Sequence, residues 1–240
     1  MSTEILPLRC GTIRAPARYL ERGVEGDLTL PVYAFLVTHA SGRAALFDAG
    51  LALADHGQTL FEVFQNDLPA GHDVAARVAA SGTDPTRIEA VVLSHTHYDH
   101  VGGVPLIPNA RLLVHRQEEL RSLDSGHDIV LTEDSHDLFG DGSVEVFATP
   151  GHTCGHQSLR VFREGGCDVL AGDACYFCRS LDRDEVDQPQ PFDKAQYLAT
   201  KRRLARMRAD GDFIIPGHDE AFLDNVPRGS AVRVGPASRL

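Results

Sequence analysis

The chain has 240 residues, a length that suits one α/β domain or two fused halves with a sizeable core. Its formal net charge of -11 argues against nucleic acid or an anionic membrane surface as the main partner. No apolar segment approaches the roughly 20 residues that span a bilayer, and residues 1–13 do not resemble a signal peptide. The odd number of scattered cysteines favours free thiols in a reducing cytoplasm.

Apolar runs bounded by turn residues predict a series of strands. They lie at residues 28–38, 44–47, 88–93, 111–114, 144–148, 158–162, 168–171 and 213–215. Helical patterns occupy residues 73–80, 117–123 and 193–208, and Asp193 is the predicted N-cap of the last. Strands interspersed with helices predict two packed sheets with helices outside, in a single domain spanning residues 1–240.

Two segments have no clear pattern. Residues 51–72 are irregular and contain aromatic side chains, so we interpret them either as an ordinary packing segment or as a cover over an apolar substrate pocket. Residues 227–240 are rich in small and polar types, and we expect them to be loosely held.

A dense cluster of metal-ligand side chains follows the strand predicted at residues 88–93. His95, His97, Asp99 and His100 fall within six consecutive positions, and Gly102-Gly103 after them predicts a tight turn. Imidazole nitrogens and carboxylate oxygens suit zinc and other transition metals. Alternation along the segment would place the first two histidines on one side and leave the other two residues facing a neighbouring ion. The alternative is a polar surface loop, which four ligand-type side chains this close together disfavour.

Three later turns carry further ligand types, each just beyond a predicted strand. They contain His152, Asp173 and His218, each near a glycine that permits close backbone approach. One arrangement places two metals, held by His95, His97 and His152 on one side and by Asp99, His100 and His218 on the other. Asp173 would then bridge the ions, because a shared carboxylate offsets the repulsion between two dications about 3.5–4 Å apart.

This order of ligands resembles the metallo-β-lactamase superfamily. The motif His95-x-His97-x-Asp99-His100 and the three later ligands carry the resemblance, which extends over residues 48–219. It implies an α/β fold, the four-layer αβ/βα sandwich, with metals at one edge of the two sheets. The superfamily hosts several chemistries, so the fold alone does not name the substrate.

Local context resembles the bacterial N-acyl homoserine lactone lactonases. Residues 149–159 are similar to the corresponding turn of those enzymes. Tyr176 lies three positions after Asp173, where those lactonases carry a tyrosine whose hydroxyl points at the lactone carbonyl. The resemblance implies a quorum-quenching hydrolase with a small-molecule lactone substrate. We expect a monomer or a homodimer. The resemblance also implies two divalent metal ions, zinc first, with Mn, Fe or Co as alternatives.

The expected mechanism is attack by a metal-bridging hydroxide on the lactone carbonyl. Two metals lower the pKa of a bridging water to near neutrality. Tyr176 would polarise the carbonyl oxygen, a contribution of about 2.7–4 kcal/mol for a positioned donor. Asp99 is placed to carry a proton from the water to the leaving alkoxide. The alternative for Tyr176 is a tyrosine at the edge of the core with its hydroxyl bonded to backbone.

Four other functions fit parts of the pattern. A glyoxalase II-type thioesterase, or a hydrolase of another lactone or ester, shares the ligands, but glyoxalase II enzymes typically add a basic helical region after the position of His218. β-Lactamases of this fold typically carry a cysteine where Asp173 stands. Diiron proteins that reduce oxygen or nitric oxide usually replace His97 with glutamate and carry a flavin domain. A non-catalytic metal-binding module would not need Tyr176.

Several remaining residues have open roles. His156 either orients a metal ligand or is exposed to solvent. Asp48 either orients a ligand imidazole or caps the turn after its strand. Cys175 and Cys178 form a C-x-x-C spacing, but structural zinc needs four ligands and a second pair is absent, so we expect free thiols. For His115, a capping or surface role is favoured. The histidines without motif context are expected at the surface: His39, His56, His72, His127 and His136.

Overall fold

The structure is a computed structural model that describes residues 2–123, 126–227 and 229–238. Its strands are β1 (Glu4–Pro16), β2 (Asp27–Thr38), β3 (Ala44–Phe47), β4 (Thr59–Leu60), β5 (Phe64–Asp67), β6 (Ala90–Val92), β7 (Arg111–His115), β8 (Ile129–Thr132), β9 (Ser135–Asp137), β10 (Val144–Ala148), β11 (Gln157–Arg163), β12 (Gly166–Leu170) and β13 (Phe213–Ile215). The α-helices are α1 (Val74–Ala80), α2 (Tyr98–Val101) and α3 (Lys194–Ala209). Within these ranges, no helix is both long and apolar enough to cross a membrane.

The strands form two mixed sheets. Over the described residues, the first has eight strands in the order β4-β5-β1-β2-β3-β6-β7-β8, and the second has five in the order β13-β12-β11-β10-β9. The long strands β1 and β2 pair antiparallel, with a register shift between Arg9 and Thr12. From β3 to β8 the neighbouring strands of the first sheet run parallel, so their carboxyl ends meet at one edge.

Alternation along the strands divides the apolar residues between the two faces of each sheet. In β2, Phe35 lies in the core between the sheets, together with Leu159 of the second sheet. Its neighbour Leu36 faces the other way and packs with Val78 of α1. On the far side of the second sheet, Leu204 of α3 packs against β12. The order of layers is helix, sheet, sheet, helix, which is the four-layer sandwich that the resemblance implies.

The helix prediction was right for two segments and wrong for a third. The Asp193 side chain accepts hydrogen bonds from the backbone N–H groups of Ala195 and Gln196 at 2.8 and 3.0 Å, as expected of the N-cap of α3. The helix predicted at residues 117–123 reduces to a 3-10 turn, Leu120–Leu123. A four-residue turn of this kind satisfies too few backbone groups to act as a stable helix on its own.

Strands β1, β4, β5, β8 and β9 were not predicted. In β1, Gly11 has a φ of 107°, and the register shift there is a bulge that breaks the two-residue alternation. The irregular segment at residues 51–72 contains the two-stranded hairpin of β4 and β5, which lengthens the edge of the first sheet. Strands of two to four residues are too short for a periodic signal to appear in sequence.

The prediction of a loosely held C-terminus was wrong for residues 229–238, while Arg228, Arg239 and Leu240 lie outside the described residues. Val232 is buried and forms a bridge with Ile5 of β1. Ser230 donates a hydrogen bond of 2.9 Å from its hydroxyl to the buried carboxylate of Asp168. Small and polar side chains here are anchored by specific partners, which composition does not reveal.

Candidate active site

The ends of several strands bring all seven predicted ligands together at one edge of the two sheets. They are contributed by the loop after β6 (His95, His97), by α2 (Asp99, His100), by the β10–β11 turn (His152) and by the turns after β12 (Asp173) and β13 (His218). Six of these side chains are buried and His97 is exposed. The cluster is therefore assembled from four separate stretches of chain, because residues 95–100 are continuous.

The side chains form two groups. In the first, ligand atoms of His95, His97, His152 and Asp173 all lie within 4.8 Å of one another. In the second, ligand atoms of Asp99, His100 and His218 lie within the same limit. This is the division that the sequence predicts for two metal ions.

The carboxylate of Asp173 lies between the groups and presents one oxygen to each. Its Oδ2 is 3.2 Å from His152 Nε2 and 3.6 Å from His95 Nε2. Its Oδ1 is 3.1 Å from His218 Nε2 and 3.3 Å from His100 Nε2. A carboxylate oriented in this way has the geometry of a bridging ligand.

The motif between His95 and His100 is a loop followed by a helix rather than one extended segment. His97 precedes the first turn of α2 with extended backbone, at φ -69° and ψ 153°. Asp99 and His100 then lie on the helix and point toward His218 and Asp173. The side chains of the motif do divide between the two groups. The change from loop to helix at α2 separates them, and not the alternation of an extended segment.

Gly102 and Gly103 are required by close packing rather than by a tight turn. Gly102 has ordinary helical backbone, with φ -58° and ψ -35°. A Cβ at Gly102 would lie 2.2 Å from the backbone nitrogen of Ala52, and one at Gly103 would lie 2.1 Å from the carbonyl oxygen of Ala49. Only glycine permits the backbone after β3 to lie directly against the end of α2.

The donor atoms fit a pair of divalent metals. His95 Nε2, His100 Nε2 and Asp173 Oδ1 are buried and make no hydrogen bond of acceptable geometry with the described residues. Such atoms are costly to bury unless another partner is present. Burial lowers the pKa of His95 well below its usual value and that of His152 to about 4, so both rings are neutral, as metal ligation requires.

Each buried ligand imidazole has a partner on its other ring nitrogen. His100 Nδ1–H donates to the Asp48 carboxylate at 2.8 Å, and Asp48 also accepts from Ser94 N–H at 2.7 Å. His218 Nδ1–H donates to the carbonyl oxygen of Pro31 at 2.9 Å. These bonds direct Nε2 of both rings into the cluster, an arrangement typical of metal-binding histidines. Of the two roles left open for Asp48, orienting a ligand imidazole is the one that the geometry supports.

His156 is fully buried behind the cluster and not at the surface. Its Nε2 accepts the backbone N–H of Asp173 at 3.0 Å, so its Nδ1–H is directed at Thr149 Oγ1, 2.8 Å away. Burial lowers the pKa of His156 well below its usual value, which keeps Nε2 free to accept. The ring therefore orients Asp173 through its backbone.

The Tyr176 ring lies between two ligand rings, at the wall of a cavity. Its centroid is 5.2 Å from that of His218 and 5.7 Å from that of His152. Burial, reinforced by the charges of Asp173 and Asp99, raises the pKa of Tyr176 well above its usual value. The hydroxyl stays protonated, and it lies beside the Asp173 carboxylate.

The cavity has a volume of about 660 Å³ and connects the ligand cluster to an apolar wall. The wall is formed by Ile13, Tyr19, Leu20, Leu30, Phe61 and Phe64. Two of these aromatic residues come from the segment at residues 51–72, in agreement with a cover over an apolar pocket. Of the described residues that line the cavity, none is lysine or arginine. A cavity of this size and polarity is typical of small-molecule sites.

Comparison with known proteins identifies the family of the chain. Residues 28–218 match the sequence model of the metallo-beta-lactamase superfamily. The chain belongs to this superfamily.

Among curated members of the superfamily, the chain is 28% identical over 248 residues to the N-acyl homoserine lactonase AttM of Azorhizobium caulinodans, covering 88% of this chain and 91% of AttM. It is 27% identical over 215 residues to the N-acyl homoserine lactonase AiiA of Bacillus thuringiensis subsp. kurstaki, covering 80% of this chain and 82% of AiiA. A crystal structure of a B. thuringiensis AiiA variant with N-decanoyl-L-homoserine bound at its active site superimposes with a TM-score of 0.81 at 22% identity, covering 95% of this chain and 98% of that one.

Glu118 connects two loops that carry predicted ligands, a role that the sequence did not reveal. Its carboxylate accepts hydrogen bonds from the backbone N–H and hydroxyl of Thr96 at 3.2 and 3.0 Å. It also accepts from the hydroxyl of Thr153 at 2.5 Å and from Gly155 N–H at 2.9 Å. One anion thus joins the loop of His95 and the turn that follows β10. A single glutamate in the helix predicted at residues 117–123 has no motif, so only the structure identifies its role.

The C-x-x-C pair does not form a site. Both thiols are free, as expected, and Cys175 is buried, with its Sγ–H donating to the carbonyl oxygen of Phe177 at 3.3 Å. Burial, aided by the charge of Asp219, raises the pKa of Cys178 to about 12, so its thiol is unreactive at neutral pH. His115 is also buried, and its Nδ1 accepts the N–H of Gln117 at 3.3 Å, a capping role.

Proposed function

We propose that the protein is a dimetal hydrolase that opens the lactone ring of N-acyl homoserine lactones, a quorum-quenching activity. The observation that carries the proposal is that one cavity is lined by both ligand groups and by an uncharged apolar wall. The Tyr176 ring lies between the two ligand groups at the wall of the same cavity. The names of the similar proteins, N-acyl homoserine lactonases, support the same substrate class.

One metal would be held by His95, His97, His152 and Asp173, and the other by Asp99, His100, His218 and Asp173. Bound there, two divalent ions supply Lewis acidity and lower the pKa of a coordinated water to near neutrality. Zinc fits a set of imidazole and carboxylate ligands, and Mn, Fe and Co share this preference. The free cysteines support a reducing compartment, so we place the protein in the cytoplasm.

Tyr176 donates a hydrogen bond to the carbonyl oxygen of the lactone. Because its hydroxyl is neutral and held at the cavity wall, it lies ready where negative charge develops during attack on the carbonyl carbon. The donor is oriented before the reaction, so little reorganisation is needed in the transition state.

Asp99 transfers the proton during ring opening. Its Oδ2 is 3.6 Å from His100 Nε2 and 3.7 Å from His218 Nε2, and the residue also lines the cavity. The attacking water loses a proton to this carboxylate as the new C–O bond forms. The carboxylate then returns the proton to the ring oxygen as the old C–O bond breaks. The product is the open-chain N-acyl homoserine.

The cavity lining favours a neutral substrate over an anionic one. Glutathione thioesters and β-lactams carry carboxylates, which are usually bound by arginine or lysine. The described lining contains neither, while it does contain Asp55, Asp99 and Asp173. An N-acyl homoserine lactone is uncharged and has an apolar chain that fits against the wall around Leu30 and Phe64.

The test is metal analysis of the purified protein combined with hydrolysis assays on three substrate classes. We expect two bound divalent metals, opening of N-acyl homoserine lactones, and slow or undetectable cleavage of glutathione thioesters and β-lactams. Two bound metals without lactone opening at any acyl length would contradict the proposal, and rapid thioester cleavage would favour the glyoxalase II-type function instead.

A further inference from the structure

Gln188 contacts two predicted metal ligands at once. It lies between Tyr176 and α3, in a segment without regular structure, and its side chain is 3% exposed. The amide oxygen accepts a hydrogen bond of 2.8 Å from His152 Nδ1. The amide nitrogen donates one of 2.6 Å to the backbone carbonyl oxygen of Asp173. The oxygen and the nitrogen of the amide are therefore each hydrogen-bonded to a predicted metal ligand.

The two hydrogen bonds of Gln188 fix different things: one fixes the His152 ring, and the other fixes the backbone of Asp173. Because an amide oxygen can only accept, the bond at Nδ1 fixes the tautomer of His152 with its proton on Nδ1 and its Nε2 lone pair toward the cluster. The bond to the carbonyl of Asp173 complements the one that His156 makes to the N–H of the same residue. Asp173 is thus held at both of its backbone polar groups, and its carboxylate is left to face the two ligand groups.

Gln188 is itself held by a buried ion pair next to it in the chain. The carboxylate of Asp187 accepts hydrogen bonds from Lys201 Nζ at 3.0 Å and from the Tyr197 hydroxyl at 2.8 Å. Lys201 also donates to the carbonyl oxygen of Glu185 at 2.8 Å. The side chains of the pair are 3% and 4% exposed, so this anchor is rigid and connects the segment to α3.

The opposite side of His152 is held by the same stretch of chain. The backbone N–H of Phe192 donates to the carbonyl oxygen of His152 at 3.0 Å, and that of Asp193 donates to Gly151 at 3.1 Å. The segment at residues 187–193 therefore contacts the His152 ring at one end and its backbone at the other. No equivalent support from this segment reaches His95 or the second ligand group among the contacts described.

We propose that Gln188 is a positioning residue that sets the metal affinity of the first ligand group, by orienting His152 and Asp173 together. The inference rests on the proposed metal site. It assigns a role to a residue whose neighbourhood has no sequence motif, and it predicts that the two metals depend on Gln188 to different degrees. The second group, which has its own partners at Asp48 and Pro31, is only indirectly affected.

The test begins with the zinc-loaded full-length protein and its Gln188→Met variant, in which a side chain of similar length makes no hydrogen bond. Both proteins are dialysed against increasing concentrations of a zinc chelator, and the zinc content is measured at each step. We expect one zinc equivalent of Gln188→Met to be lost at about 10- to 100-fold lower chelator concentration than in the wild type, the loss typical of a missing partner behind a ligand. The other equivalent shares Asp173 with the first but not His152, so its loss should shift by a clearly smaller factor.

A control variant and a comparison of the two zinc equivalents separate positioning from packing. Gln196→Met changes an exposed amide on the first turn of α3, bonded to Asp193 at 3.2 Å, and should retain zinc as the wild type does. Gln188→Met leaves the His152 Nδ1–H and the Asp173 carbonyl buried without partners, so the metal-free variant should unfold at a lower midpoint than the wild type. The decisive measurement is therefore the difference between the two zinc equivalents, and an equal shift of both would show that Gln188 only packs and would overturn the proposal.

Gln188→Glu provides the conservative comparison. Its carboxylate still accepts the His152 Nδ1–H but offers no donor to the Asp173 carbonyl, so zinc retention should lie between the wild type and Gln188→Met. Retention no better than that of Gln188→Met would contradict the role of the His152 bond. Zinc lost equally from wild type and Gln188→Met would overturn the inference about Gln188, while a wild type that binds none of Zn, Mn, Fe and Co would contradict the proposed function itself.

Discussion

The ligand turns are buried and hydrogen-bonded to several elements, whereas the hairpin of β4 and β5 at the cavity mouth is exposed and conformationally strained. Six of the seven ligands are buried. Phe61, in contrast, is 75% exposed and, with Glu62, has left-handed backbone, at φ 52° and 61°. For a residue other than glycine this conformation costs roughly 1–2 kcal/mol.

The difference separates two tasks within one cavity. The reaction needs donors and ligands fixed to within fractions of an ångström, and the buried hydrogen bonds around Asp173 provide this. Binding an apolar chain needs area more than precise position, and an exposed aromatic hairpin can supply it. Changes in the first region should alter turnover or folding, and changes in the second should alter which substrates bind.

The largest effect is expected from Asp173→Ala, which removes the group shared by both halves of the cluster. Lactonase activity should fall to the background of the metal-free protein, because two adjacent dications would lose the anion between them. Metal content measured together with turnover checks this. A variant that kept two metals and near-normal turnover would show that Asp173 does not bridge.

Lys201→Met should strongly destabilise the protein, since it leaves the Asp187 carboxylate buried without its cation. Breaking one side of a buried pair costs about 3–5 kcal/mol, and denaturant unfolding of the metal-free protein measures it. The matched control, Lys201→Met with Asp187→Leu, should recover much of the loss. No recovery would mean that Lys201 acts through packing alone.

The loss of stability caused by Lys201→Met should also depend on pH. Burial alone would raise the pKa of Asp187, but the nearby Ser180 hydroxyl and the hydrogen bonds from Tyr197 and Lys201 outweigh it and hold the pKa below the usual value. The stability contributed by Asp187 is therefore present above about pH 4 and disappears as the pH falls through its lowered pKa. The difference between the wild type and Lys201→Met should shrink under acidic conditions, and a constant difference would argue against the ion pair as its source.

Tyr176→Phe should reduce kcat by the equivalent of about 2.7–4 kcal/mol while KM changes little, because the donor acts in the transition state. Metal content should stay at the wild-type value, since the hydroxyl is not among the predicted ligands. Full activity in a fully metallated variant would remove the catalytic role of Tyr176 and favour a structural one.

Phe61→Ala should have the smallest effect, and only on long-chain lactones. The exposed ring loses little in the free protein, so stability should be nearly unchanged. If the ring covers part of a bound acyl chain, its removal should raise KM for a ten-carbon chain by the equivalent of about 1 kcal/mol. KM for a four-carbon chain serves as the control, and an equal change for both would place Phe61 outside the acyl path.

The sequence could indicate which side chains come together in the cluster because they lie directly after buried strands, where periodicity and turn signals are strong. His152, Asp173 and His218 each follow or lie beside such a signal. By contrast, Gln188 and Glu118 act through contacts with distant parts of the chain and have no local pattern. Strand β1 was missed because the bulge at Gly11 interrupts its alternation, and long-range pairing with β2 stabilises it regardless.

The contact between Gly102-Gly103 and the backbone of Ala49 and Ala52 has a consequence for sequence divergence. The position of α2, and with it Asp99 and His100, is set by main chain against main chain, without intervening side chains. Substitutions that reshape the apolar core change side-chain volumes, and they do not alter this spacing directly. Much of the chain can therefore diverge while the distance between the two ligand groups is retained, provided that these two positions remain without a side chain.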